Sequence, residues 1–116
     1  MIATHFIDGE RVATGPLGDS INPADQSVLG QYHCGSQALV DQAASAARRA
    51  FFATDWASNP RIRAQALYEI ADRLDAEKEA IADLVVRENG KLRKEAIGET
   101  LGAISETRYY AGLARN

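Results

Sequence analysis

The hydrophobic pattern of this chain changes its period once, near Ser36, and the change restricts it to a β lead-in followed by helices. Before Ser36, the turn pairs Asp8-Gly9, Gly15-Pro16, Gly18-Asp19 and Asn22-Pro23 cut the sequence into short runs such as HFI and SVLGQY. Asp-Gly between HFI and ERVA is a hairpin signal, because a type I′ turn needs positive φ at both central residues. The spacing predicts a hairpin over residues 4–13 and a further strand over residues 27–32.

After Ser36 the period becomes helical. Ser36 is placed to cap a helix in which Leu39, Ala43, Ala46, Ala47, Ala50 and Phe51 share a face, running to about Phe52. Asn59-Pro60 joins a cap to a proline at the first helical position, and Leu67, Ile70, Ala71 and Leu74 follow as a second stripe. Trp56, between these two helices, is expected to plug the joint. Ile81, Leu84 and Val85 continue into a third helix, which Gly90 ends by taking positive φ. A fourth runs from about Leu92 to Leu113 with Ile97, Leu101, Ile104 and Arg108 in register. Apolar helical periodicity means burial, so all four stripes are expected in the core. The fold class is therefore α+β, with a β-hairpin and strand segment over residues 1–35 and about four helices over 36–116.

Bulk properties narrow the function. At 116 residues there is room for one domain. A net charge of -3 argues against a nucleic-acid footprint. There is no basic start followed by an apolar run, and no segment approaches the ~20 apolar residues of a membrane span, so a cytoplasmic location is expected. One cysteine cannot form an internal disulfide, and with only His5 and His33 available no protein-only zinc site is expected.

Taken in order, FIDGERVA, INPADQSVLG, RRAFFATDWA, RAQALYEIADRLDAEKEAIADLVVRENGKL and RYYAGLAR resemble the amino-terminal portion of the aldehyde dehydrogenase superfamily. The resemblance covers almost the whole chain and implies the α/β fold of that family. Its members oxidise an aldehyde to a carboxylic acid and pass a hydride to NAD or NADP. A cysteine thiolate attacks the carbonyl, an asparagine and a backbone N–H hold the oxyanion, and a glutamate activates water. In the family all of these groups lie downstream of the Tyr-Tyr-Ala-Gly stretch. The resemblance thus implies the front segment of a homo-oligomeric enzyme, with no catalytic or cofactor-binding residue, no bound cofactor and no activity by itself. A reading from a different class is a stand-alone helical module that pairs with another chain or with itself.

Single residues can be weighed against this background. Cys34 in GQYHC suggests the family's Gly-Gln-x-Cys nucleophile but has one residue too many before the cysteine. His33 is its neighbour, and on a strand the two side chains would point to opposite faces, so Cys34 is read as structural. Lys91 in ENGKL lacks a preceding phosphate loop and is read as serving the helix end. The resemblance implies a monovalent-cation site formed by Ser20, Ile21 and Glu88, whose oxygen donors suit a hard cation. A solvated carboxylate is the plain alternative for Glu88. Gly98 and Gly102 stand at i, i+4 in the fourth helix, where each glycine costs on the order of 1 kcal/mol against alanine, so close approach of something is expected. The resemblance makes Gly98, Leu101 and Gly102 wall positions of the aldehyde tunnel. Helix–helix contact would explain the two glycines equally well.

Overall fold

The computed structural model describes residues 2–115; residues 1 and 116, the outer ends of the two expected segments, lie outside them. The chain divides into two compact units between Thr54 and Asp55. That boundary lies beyond residue 35, where the element type changes, because the first helix packs with the strands that precede it.

The first unit contains β1 (Ile2–Ala3), β2 (His5–Ile7), β3 (Glu10–Val12), β4 (Leu17–Ile21), β5 (Val28–His33) and α1 (Gln37–Ala53). β2 and β3 form the expected hairpin, with Ile7 opposite Glu10 and positive φ at both Asp8 (56°) and Gly9 (82°). β5 runs one residue past the strand read from the sequence. It is the centre of a second sheet ordered β1-β5-β4, parallel to β1 and antiparallel to β4.

β4 corrects the sequence reading, since Gly18-Asp19 is not a turn but the middle of this strand. Gly18 pairs with Tyr32, and a Cβ on Gly18 would come within 2.6 Å of Tyr32 Cζ. The glycine makes room for a ring lying across the strand. The reversal between β4 and β5 falls at Asn22-Pro23. There the Ala24 N–H donates to Asn22 Oδ1 at 3.0 Å and the Asn22 N–H to the Ser27 carbonyl at 2.9 Å. Gly15, at φ 99°, closes the loop before β4, and any Cβ there would collide with the Cys34 carbonyl oxygen.

Ser36 caps α1 as expected, its hydroxyl accepting from the Leu39 N–H at 3.3 Å. The apolar stripe of α1 does not form a core. Of its residues only Ala46 is buried, while Ala47, Ala50 and Phe51 are exposed. β2 is the strand packed against this helix, and so narrow an element covers only part of the face.

The second unit contains α2 (Pro60–Ala76), α3 (Lys78–Asn89) and α4 (Arg93–Leu113). Asn59 Oδ1 accepts from the Arg61 N–H at 3.0 Å, and Gly90 takes φ 67° after α3, so both signals act as read. Trp56 is 40% exposed and does not act as a plug. Its carbonyl instead accepts from Arg63 Nη1 at 2.6 Å, tying the loop to the first turn of α2.

The core of this unit is an alanine seam. Ala64, Ala71, Ala82, Ala96 and Ala111 are buried with Thr100 and Ile104, where α4 packs on α2 and α3. Small side chains let helix axes come close and leave the larger residues at the edges of the contact. Ile70, Leu84 and Leu101, expected inside, are 48%, 49% and 46% exposed, and Arg108 also faces outward. Ion pairs hold the rims: Arg108 reaches Asp72 at 3.0 Å and Asp75 at 3.1 Å, and Arg93 reaches Glu79 at 2.8 Å. Among the described residues no helix is long and apolar enough to cross a membrane.

Candidate functional site

An α-helix turns 100° per residue, so burying one side of α4 fixes what its other side shows. Ala96, Thr100, Ile104 and Ala111 face inward. Gly98, Gly102, Ser105 and Tyr109 therefore line the outward face, and Leu101 stands at its border. A Cβ added at Gly98 or Gly102 would meet nothing within 4 Å. Helix–helix contact is thus removed as their explanation among the described residues, because neither glycine has a neighbour. Leu101 and Tyr109, 46% and 61% exposed, flank this flat strip. The three wall residues read from the sequence stay together. Ser105 and Tyr109 continue the same strip at helical spacing from Gly102.

The three cation candidates are distributed differently. Ser20 and Ile21 end β4 in the first unit, where the ladder with β5 shifts register between them. Glu88 stands in the last turn of α3, in the second unit. All three contribute oxygen donors only. Among the described residues no group of three His, Cys, Asp or Glu side chains gathers to hold a metal ion.

Cys34 is half-buried just past β5, with its N–H donated to the Pro16 carbonyl at 2.8 Å. The neighbouring His33 sets Nδ1 3.2 Å from the Gly15 carbonyl oxygen. Both residues clamp the loop before β4. Lys91 has a definite partner: its ammonium lies 2.8 Å and 2.6 Å from the two carboxylate oxygens of Glu99, linking the α3–α4 turn to the side of α4.

The clear pKa shifts fall in these rim contacts. Hydrogen bonds from Lys78 and then Arg108 hold Asp75 below the ordinary carboxylate value. Arg108 is raised by its bonds to Asp72 and Asp75, and Arg93 by its bond to Glu79 and the charge of Asp83. These groups are fastened for structure. The α4 face itself offers an open strip and an apolar border.

Comparison with known proteins gives this architecture a family. A model described as the aldehyde dehydrogenase family matches residues 12–116. The chain is 35% identical over 111 residues to an aldehyde dehydrogenase of Aspergillus niger, covering 94% of this chain and 22% of that protein. It is 39% identical over 110 residues to a malonate-semialdehyde dehydrogenase of Listeria monocytogenes, covering 93% of this chain and 22% of that protein. Among solved structures, the NAD-dependent aldehyde dehydrogenase of Sinorhizobium meliloti superimposes with a TM-score of 0.91 at 30% identity, covering 99% of this chain and 24% of that one. The chain spans 22% of the length of both relatives, and within that span sequence and fold agree. It belongs to the aldehyde dehydrogenase family and corresponds to the amino-terminal segment of its members.

Proposed function

We propose that the chain is the structural front segment of a cytoplasmic, homo-oligomeric enzyme that oxidises an aldehyde to a carboxylic acid with NAD or NADP. The bound nicotinamide accepts the hydride in such a reaction. This chain contributes no catalytic or cofactor-binding residue. Its part is to bound the aldehyde with the outward face of α4, where Gly98 and Gly102 leave room and Leu101 supplies an apolar border that excludes water. The observation that carries this reading is the open space above both glycines in a helix otherwise packed through its alanines. A helix keeps two costly glycines where a side chain would obstruct something.

Exposed side chains such as Leu92 and Tyr110, 70% and 58% uncovered, also suit a stand-alone interaction module. Such a module would capture a partner with no effect on any dehydrogenase. The test of the first reading is direct: the 116-residue chain, mixed with an aliphatic aldehyde and either dinucleotide, should form no reduced nicotinamide and give no saturable heat on NAD titration. Saturable NAD binding or turnover would overturn it.

A further inference from the structure

Asn89 is the last residue of α3, and Gly90 begins the turn that leads to α4. Gly90 takes φ 67°, and its N–H donates to the Val86 carbonyl at 2.9 Å as the closing bond of the helix. Asn89 is exposed, and its side-chain amide has no hydrogen-bond partner among the described residues. An asparagine amide can close on the backbone nitrogen of the next residue in a five-membered ring, and glycine offers that nitrogen with no side chain in the way. The other asparagines lack this arrangement. Asn22 and Asn59 each precede a proline, whose nitrogen has no proton to lose, and both side chains already accept from backbone N–H groups at 3.0 Å. Asn116 lies outside the described residues. Asp8-Gly9 has the glycine, but it presents a carboxylate paired with Arg49 at 2.7 Å, a poorer electrophile than an amide.

We propose that Asn89-Gly90 is a self-modification site, whose deamidation loosens the joint between α3 and α4 as the protein ages. The Gly90 nitrogen gives its proton to hydroxide and attacks Asn89 Cγ. The N–Cγ bond forms, the Cγ–Nδ2 bond breaks, and ammonia leaves with a proton taken from water, which returns the hydroxide. Water then opens the cyclic imide at either carbonyl to give aspartate or isoaspartate. The net exchange is water in and ammonia out, with no change of oxidation state. The fold gates the first step. While the Gly90 N–H is bonded to Val86 its nitrogen is not free to attack, so the reaction waits for the last turn of α3 to fray. The consequences fall on the same turn. For as long as the imide lasts, Gly90 has no N–H and the closing bond to Val86 is lost. The new carboxylate then stands at the negative end of the helix dipole, and isoaspartate lengthens the backbone path by a methylene. Both act against a turn whose next residue, Lys91, must reach Glu99 of α4 at 2.8 Å and 2.6 Å. The inference does not depend on the function proposed above.

The test is to incubate the 116-residue chain in mildly alkaline buffer beside a urea-unfolded sample and to map the peptides of both by mass. The peptide holding residue 89 should gain about 1 Da in both samples and split into aspartate and isoaspartate products, more slowly in the folded one. Asn89→Gln, whose longer side chain would need a six-membered ring, should gain no mass there over the same time. The converted chain, separated from the parent by its added charge, should melt at a lower temperature. Four results would each overturn the inference: no gain at residue 89 in the folded chain while the unfolded sample converts, equal rates in the two samples, an Asn89→Gln variant that gains mass as fast as the parent, or a converted chain that melts with the parent.

Discussion

Ile104→Ala and Leu101→Ala should differ sharply in cost, although the two residues stand three apart on one helix and periodicity assigns both to the core. Ile104 is 3% exposed inside the alanine seam. Truncating a buried isoleucine there removes its transfer energy and leaves a cavity that packed alanines cannot collapse to fill, at about 2–5 kcal/mol. Leu101 is 46% exposed, so its loss forfeits roughly half of a full burial and opens no closed cavity, about 1 kcal/mol. Urea unfolding followed by far-ultraviolet circular dichroism measures both. With a slope near 1 kcal/mol per molar for a small unit, Ile104→Ala should lower the midpoint by about 2 M or more and Leu101→Ala by about 1 M or less. Equal costs, or a larger cost at Leu101, would refute the alanine-seam account of the second unit.

Gly98→Ala and Gly102→Ala should each raise stability by up to about 1 kcal/mol, since a helix gains from alanine and the new methyl meets no atom; a fall in melting temperature would mean the face is packed after all. Gly18→Ala should melt the first unit earlier, because the methyl runs into the Tyr32 ring; an unchanged thermal melt would refute that contact. Asp75 has its pKa lowered on folding, so its carboxylate favours the fold above the ordinary value near 4 and loses that effect as pH falls through the lower folded value. Asp75→Asn should accordingly lie below the parent at neutral pH and meet it in acid, as pH-dependent denaturation curves would show. Cys34→Ser should leave helix content and thermal midpoint nearly unchanged, because only the backbone of that residue clamps the loop; a large drop in the thermal melt would assign the thiol a packing role.

The local signals were legible in the sequence because each acts within a few residues. Ser36, Asn59-Pro60 and Gly90 bound three helices by bonding or bending their own backbone, and Asp8-Gly9 turns a hairpin of three-residue strands. β4 was hidden because its strand character comes from pairing with β5, while Gly18 looks like a breaker until Tyr32 is laid over it. The core was misplaced for a related reason. Periodicity marks a side of a helix, but Leu101 and Ile104 differ by only 60° around α4, and which of them is covered depends on how closely alanine faces let α2 approach. Gly98 and Gly102 stood out because their cost in a helix asks for a cause, whereas their reading as a tunnel wall came from the family resemblance. Ser20, Ile21 and Glu88 came from the family resemblance alone, since no spacing connects residues that far apart in the chain.

The account rests on this chain being able to complete a dehydrogenase. The most direct measurement uses the Bacillus subtilis malonate-semialdehyde dehydrogenase, 36% identical over 110 residues, with the matching 22% of its length removed. That remainder is mixed with its own excised segment as a control, or with the 116-residue chain, and formation of reduced nicotinamide is followed. The account predicts that this chain, inactive alone, restores turnover with the relative's substrate. A folded chain that leaves the remainder inactive, while the relative's own segment restores it, would contradict the account.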